Sequence, residues 1–199
     1  RLTNLAELAK ESLLIKRGIL EQLTKIGLYP YSRFYLDSVY KRFGRYWDNH
    51  FNTIGIIGMN ESLLNFIGKD ITTPAGQETA LMIMDHLRKT LIRFQEETDQ
   101  MFNLEATPAE STTYRLALLD RELYPEIITA GKKEPYYTNS TQLPVGYTDD
   151  LFTAIALQDK LQTKYTGGTV FHAYLGERME DTETCRKLIK KVFTNFSLP

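Results

Sequence analysis

The densest chemistry in this sequence lies in one run, Asn103-Leu104-Glu105-Ala106-Thr107-Pro108-Ala109-Glu110-Ser111-Thr112, with Thr113 directly after it. The spacing reads as a strand passing into a helix, with Thr107 at the cap, Pro108 at the first helical position and Glu110 at the third. Two chemistries compete for that geometry. In a capping box, the Thr107 oxygen accepts a backbone N–H and the Glu110 carboxylate reaches back to the N–H of the cap. In an anion site, the unpaired N–H groups and the positive end of the helix dipole receive a phosphate, and the hydroxyls of Ser111, Thr112 and Thr113 add donors. Glu110 opposes the second reading, because a carboxylate there competes for the same donors. Spacing alone leaves both open.

Other candidates carry less. Asn60 and Glu61 follow an apolar β-branched run, where Asn60 fits a helix cap. Gly55 and Gly58 in that run permit either close approach of a ligand or tight strand packing. Glu96 and Glu97 are adjacent and diverge on a helix, so they read as a solvated face rather than an acid/base pair. His50, His86 and His172 show no metal-ligand spacing. Lys41-Arg42-Phe43-Gly44-Arg45-Tyr46-Trp47 mixes cations with aromatics and reads as a lid segment without a ligand, the alternative being contact with nucleotide or a neighbouring lobe. Cys185 sits among Glu183, Thr184 and Arg186 in a polar helix and reads as a bystander thiol. No residue is assigned a catalytic role, and none a metal.

The elements that must position these groups follow from periodicity. Leu5, Leu8, Ile15, Ile19 and Leu23 recur at helical spacing, and Gly27 fits the stop of that helix. Residues 37–50 show weak periodicity and stay unassigned. Residues 53–57 read as a buried strand and 61–67 as a short helix ending at Gly68. Thr73-Pro74 opens a long helix with Leu81, Met84, Leu87, Leu91 and Phe94 as its buried stripe. Then come a strand at 101–106, buried like the first, a helix at 108–119, a strand at 136–142, a helix at 150–162, a strand at 169–175 and a helix at 181–196. Strands alternating with helices predict a mainly parallel α/β fold. Four strands make a thin sheet with an edge to cover.

The chain has 199 residues with 42% hydrophobic content, enough for one domain or one lobe of a larger one. A formal charge of −1 supplies no global field for nucleic acid or anionic lipid. One cysteine excludes an internal disulfide framework. No apolar run approaches the roughly 20 residues that cross a bilayer, and no signal peptide is seen. The expectation is a soluble, cytoplasmic protein with neither membrane nor nucleic-acid partner. The chain opens at Arg1 and stops on Leu198-Pro199, which reads as a segment of a longer polypeptide.

Four stretches resemble one family. Phe102 to Thr112, continued by Tyr114-Arg115-Leu116-Ala117, is similar to a segment of the anaerobic (class III, glycyl-radical) ribonucleotide reductases. So are Pro135-Tyr136-Tyr137-Thr138-Asn139-Ser140-Thr141-Gln142-Leu143-Pro144-Val145, Ile54-Gly55-Ile56-Ile57-Gly58-Met59-Asn60-Glu61 and Tyr165-Thr166-Gly167-Gly168-Thr169-Val170. All four occur in the family's order.

The resemblance implies a fold and a function. The fold is a ten-stranded α/β barrel of two five-stranded halves, of which residues 1–199 are part of the second. The activity is reduction of ribonucleoside triphosphates to 2′-deoxyribonucleotides by glycyl/thiyl radical chemistry. Thr107, Pro108, Ala109, Glu110, Ser111, Thr112 and Thr113 are the implied substrate-phosphate loop, and Gly58, Met59 and Asn60 the candidates to face the ribose. Implied partners are the triphosphate substrate, an iron–sulfur/S-adenosylmethionine activase, the remainder of the same polypeptide and a second copy in a homodimer. The chain departs from the family in three places: it holds no radical-glycine motif, no paired zinc cysteines and no cysteine before Ile54. Radical and zinc site are therefore expected outside this segment, which by itself is expected to be inactive. The competing readings are a non-catalytic nucleotide-binding or structural module of related ancestry, and a glycyl-radical enzyme of the formate-lyase type.

Overall fold

A computed structural model describes residues 1–172, 175 and 178–197. The elements run α1 (Leu2–Lys25), α2 (Pro30–Tyr35), α3 (Asp37–Phe43), β1 (Asn52–Ile56), α4 (Met59–Ile67), α5 (Pro74–Thr98), β2 (Phe102–Ala106), α6 (Glu110–Leu123), α7 (Leu151–Gln162) and α8 (Thr182–Asn195). β1 and β2 form a two-stranded sheet. The N–H of Asn52, the first residue of β1, donates to the carbonyl of Met101, just before β2. Start meets start, so the strands are parallel, as a crossover through α4 and α5 requires. The chain divides into two compact units, Arg1–Ile54 with Leu87–Asn103, and Gly55–His86 with Leu104–Pro199.

In the first unit, residues 46–52 are held to α1 by polar side chains. The Arg17 guanidinium donates to the carbonyls of Trp47 and His50 and to Oδ1 of Asn52. The Glu21 carboxylate accepts the N–H groups of Tyr46 (2.9 Å) and Trp47 (2.6 Å), and the Trp47 indole N–H donates to Thr24 Oγ1. Phe94 and Phe102 meet edge to face at 5.6 Å. Residues 37–50, which periodicity leaves unassigned, contain the two-turn helix α3, closed by Gly44 in the left-handed conformation. Within the helical run Leu5, Leu8, Ile15 and Ile19, continued by Ile26, every side chain is half or more exposed. That stripe faces away from the packed side of α1.

In the second unit Leu63, Ile71, Met84, Leu104 and Leu161 are fully buried. The start of α5 follows the expected chemistry: Thr73 Oγ1 accepts the Gly76 N–H at 3.1 Å, with Pro74 at the first position. Of its expected stripe, Met84, Leu87, Leu91 and Phe94 are buried and Leu81 half-buried.

Several expectations need correction. The strand expected to be buried over 53–57 is not: in β1 only Asn52 is buried, Ile54 and Ile56 are half-buried, and Thr53 and Gly55 are exposed. The expected strand at 136–142 is reduced to one antiparallel bridge, Ala130 with Tyr136. Its continuation bonds instead to the backbone beyond β1, the N–H of Gly58 to the Thr138 carbonyl (2.8 Å) and that of Met59 to the Ser140 carbonyl (3.1 Å). Ser140 has φ +45°, which stops any strand there. The expected strand at 169–175 has no strand pairing over 169–172, and positions 173 and 174 lie outside the described residues. Residues 166–168 do bond to β2: the Leu104 carbonyl accepts the N–H groups of Thr166 and Gly167, and Gly168 accepts that of Ala106. The sheet is thus an α/β core of two strands flanked by two non-laddered segments.

Candidate functional site

The site is built where β2 ends. Thr107 and Pro108 lead out of the strand, Ala109 turns in the left-handed region (φ +54°), and α6 starts at Glu110. The capping box, one of the two readings that the spacing left open, does not form: the cap is Ala109, without a side-chain hydrogen bond, two residues beyond Thr107. The Ala109 carbonyl takes the N–H groups of Thr112 (2.7 Å) and Thr113 (3.2 Å). Among the described residues nothing accepts from the N–H groups of Glu110 and Ser111. Two backbone donors therefore stand open at the positive end of a 14-residue helix. Glu110, Ser111 and Thr112 are exposed, while Thr113 is buried and its hydroxyl donates to the Glu110 carbonyl. The Glu110 carboxylate makes no bond back to the turn.

Beside this turn lies a cavity of about 580 Å³, lined by Pro108 and Thr113 of the turn and by Tyr137, Asn139, Tyr147 and His172 among others. Asp149 and Asp150 also line it. Asp150 is engaged as the cap of α7, accepting the N–H groups of Phe152 (3.1 Å) and Thr153 (3.3 Å). The Thr153 hydroxyl first, then these N–H groups, hold its carboxyl below the usual range. The Tyr137 hydroxyl donates to Asp120 at 2.6 Å, and burial together with that carboxylate holds its phenol well above its ordinary value.

The second candidate segment adjoins through the backbone. Gly58 is the left-handed cap of α4 (φ +71°), with Met59 and Asn60 buried behind it. Asn60 lies inside the helix rather than at its cap, and its Oδ1 accepts the Ile71 N–H at 3.2 Å. A Cβ on Gly58 would lie 3.1 Å from that of Tyr137.

The residue that pattern reading undervalued is Glu61. It is 1% exposed and has no ionic partner among the described residues, yet accepts from Thr138 N–H (2.8 Å), Thr138 hydroxyl (2.6 Å) and Asn60 amide (3.0 Å). Its signal was present in the sequence, an acidic residue in the first turn of a helix. Its partner, 77 positions away, was not. A second buried polar chain runs from the Thr141 carbonyl through Gln158 and Gln162 to Thr169. In β2 the Asn103 Oδ1 is buried without a hydrogen-bond partner.

The remaining candidates fall elsewhere. Glu97 pairs with Lys10 and Arg93 on the surface. Lys41 pairs with Asp37 and Arg45 with Asp48, and Arg42 lies over the Phe43 ring. Cys185 is half-buried on α8 and does not line the cavity. Among the described residues no cluster of three or more His, Cys, Asp or Glu side chains could hold a metal, and no helix is long and apolar enough to cross a membrane.

Comparison with known proteins adds a consistent picture. Residues 1–199 match the family described as anaerobic ribonucleoside-triphosphate reductase. An anaerobic ribonucleoside-triphosphate reductase of Enterobacteria phage T4 is 31% identical over 123 residues, 62% of this chain and 19% of that protein. One from Haemophilus influenzae is 32% identical over 95 residues, 47% of this chain and 13% of that protein. The chain thus spans under a fifth of the length of these relatives. The anaerobic ribonucleotide reductase from Thermotoga maritima, solved with glycerol in the active site, superposes with a TM-score of 0.75 at 27% identity, over 97% of this chain and 31% of that one. The same enzyme has been solved in complex with dATP and CTP.

Proposed function

Because the chain belongs to the anaerobic ribonucleoside-triphosphate reductase family, we propose that it forms part of an enzyme reducing ribonucleoside triphosphates to 2′-deoxyribonucleotides, and that residues 107–113 hold the substrate's phosphates. The observation that carries this reading is the pair of unpartnered N–H groups at Glu110 and Ser111 together with the exposed Ser111 hydroxyl, all offered as donors to the same anion, beside a cavity lined by Pro108 and Thr113. A polyanion there gains the helix dipole and charge-assisted hydrogen bonds, and Glu110 leaves those donors free. Gly58, Met59 and Asn60 form the ribose edge as a wall rather than as donors, since the Asn60 side chain is committed to Ile71 and Glu61 and the N–H groups of Gly58 and Met59 to Thr138 and Ser140.

In this reading residues 1–199 are a segment of the second half of a ten-stranded barrel. Glycyl and thiyl radicals supply the hydrogen-atom chemistry of such enzymes when present. Cys185 does not fit that role, being on α8 and away from the cavity wall. The radical glycine, the thiyl cysteine and a zinc site belong to other parts of the complete protein, as does the surface for an iron–sulfur activase. This chain's own residues bind and orient the nucleotide. The complete protein is read as a cytoplasmic homodimer. A match to the reductase family over the whole chain supports this function over a formate-lyase-type enzyme or a non-catalytic module.

The test is a binding titration on the complete protein, wild type and Ser111→Ala, using a ribonucleoside triphosphate and its parent nucleoside. The variant should bind the triphosphate on the order of tenfold more weakly, with nucleoside affinity and thermal stability unchanged. Equal triphosphate affinity in both proteins sinks the phosphate assignment.

A further inference from the structure

Among the described residues, Ser140 is the one bonded to both proposed ligand-holding segments. Its carbonyl accepts the Met59 N–H at 3.1 Å, and its hydroxyl lies 3.0 Å from the Thr107 carbonyl. The hydroxyl also meets the side-chain amide of Asn139. A hydroxyl has a single proton, and the Thr107 carbonyl can only accept, whereas an amide can present either end. The Ser140 proton thus faces two acceptors, the Thr107 carbonyl and Asn139 Oδ1, and turning the Asn139 amide end for end, so that its N–H donates to the hydroxyl, leaves the proton to Thr107.

Three further observations fix Ser140 in place. It is 0% exposed. Two residues before it, Thr138 is held by Glu61; directly after it, Thr141 shares a hydrogen bond with the Tyr165 hydroxyl (3.0 Å) and accepts from the Gln158 amide (2.9 Å). Its backbone sits at φ +45°, where a Cβ is unfavourable and glycine is at ease. A purely structural turn would be better served by glycine. Glycine, however, could not reach the Thr107 carbonyl. Strain held at one residue by a rigid surround is a mark of function when the side chain does something glycine cannot.

We propose that Ser140 is a positioning residue: by bonding Thr107 on one side and Met59 on the other, it sets the gap between phosphate loop and ribose edge. Thr107 is the last peptide before the Pro108–Ala109 turn, so its carbonyl direction aims the N–H groups of Glu110 and Ser111. The inference rests on the phosphate reading of residues 107–113.

Its test uses Ser140→Gly, Ser140→Ala and Ser111→Ala in the complete protein, with triphosphate and nucleoside titrations and melting temperatures. Both Ser140 variants should bind triphosphate about three- to tenfold more weakly, with nucleoside affinity near wild type. Ser140→Gly should melt at or above the wild-type temperature, because the strain is gone, whereas Ser140→Ala should melt below it. If Ser140→Gly keeps wild-type triphosphate affinity while Ser111→Ala loses it, positioning is wrong and the phosphate loop stands. If triphosphate and nucleoside affinities fall together with stability in both Ser140 variants, the role is structural only. If Ser111→Ala binds normally, the phosphate reading fails and takes this proposal with it.

Discussion

A Cβ added to Gly55 would sit 1.7 Å from Oγ1 of Thr107 and 2.7 Å from its Cβ. Rotating the threonine clears the first clash but not the second, so the backbone carrying Thr107 has to move. This settles the choice that the sequence left open at Gly55: the absent side chain makes room for Thr107. The same contact ties the middle of β1 to the start of the proposed phosphate loop.

Gly55→Ala should therefore cost about 1–3 kcal/mol as an overpacking change, and should weaken triphosphate binding along with stability. Chemical denaturation of the complete protein, with a parallel nucleotide titration, reads both. Unchanged values for each would show that the turn at Thr107 adjusts freely.

Glu61 offers a sharper stability test. Glutamine keeps its shape but turns one acceptor oxygen into a donor facing the donors of Thr138 or Asn60. Bonds to a charged acceptor are worth roughly 1.5–3 kcal/mol, so Glu61→Gln should lower the unfolding free energy by at least one such bond. Because Thr138 precedes the Ser140 turn, nucleotide affinity should fall as well. A variant as stable as the wild type would mean that the carboxylate is not what holds Thr138.

Alkaline unfolding should report Tyr165. Burial pushes its phenol up to about 12, against an ordinary value of 10.0. The sign follows from proton counting: between these values the unfolded chain has lost the phenolic proton and the folded chain keeps it. Stability is thus full below about pH 10 and declines as pH rises toward 12. Tyr137, also raised, adds to the decline in the same direction. Tyr165→Phe should flatten the slope of denaturation midpoint against pH in this window. An unaltered slope would place the titration elsewhere.

What the sequence made legible were features with local causes. Thr73-Pro74 opens its helix as expected because cap and helix are adjacent in the chain, and the helix expected from 150 is present from Leu151, with Asp150 as its cap. The periodicity of Met84, Leu87, Leu91 and Phe94 marks a buried face wherever that face packs. The failures have non-local causes. Thr107 was read as a cap from its distance to Glu110, yet Gly55 admits its side chain on one side and Ser140 holds its carbonyl on the other. The helix accordingly starts later, at a left-handed alanine that no pattern favours. The strand expected at 136–142 fails at Ser140, although Asn139-Ser140 is a turn-forming pair by composition. Glu61 was given no role beyond opening a short helix, because Thr138 comes to it only in the folded chain.

The outward stripe of α1 has a colloidal consequence. Leu5, Leu8, Ile15, Ile19 and Ile26 present aliphatic surface to water along one helix, and contiguous patches of that kind drive association. Produced by itself at the concentrations a titration needs, the 199-residue span should stick to itself through this stripe. Its apparent nucleotide affinity would then drift with protein concentration, and its light scattering would rise before any ligand is added. Replacing Leu8 and Ile15 by glutamate would make the isolated span tractable in solution while leaving every residue of the proposed nucleotide turn unchanged.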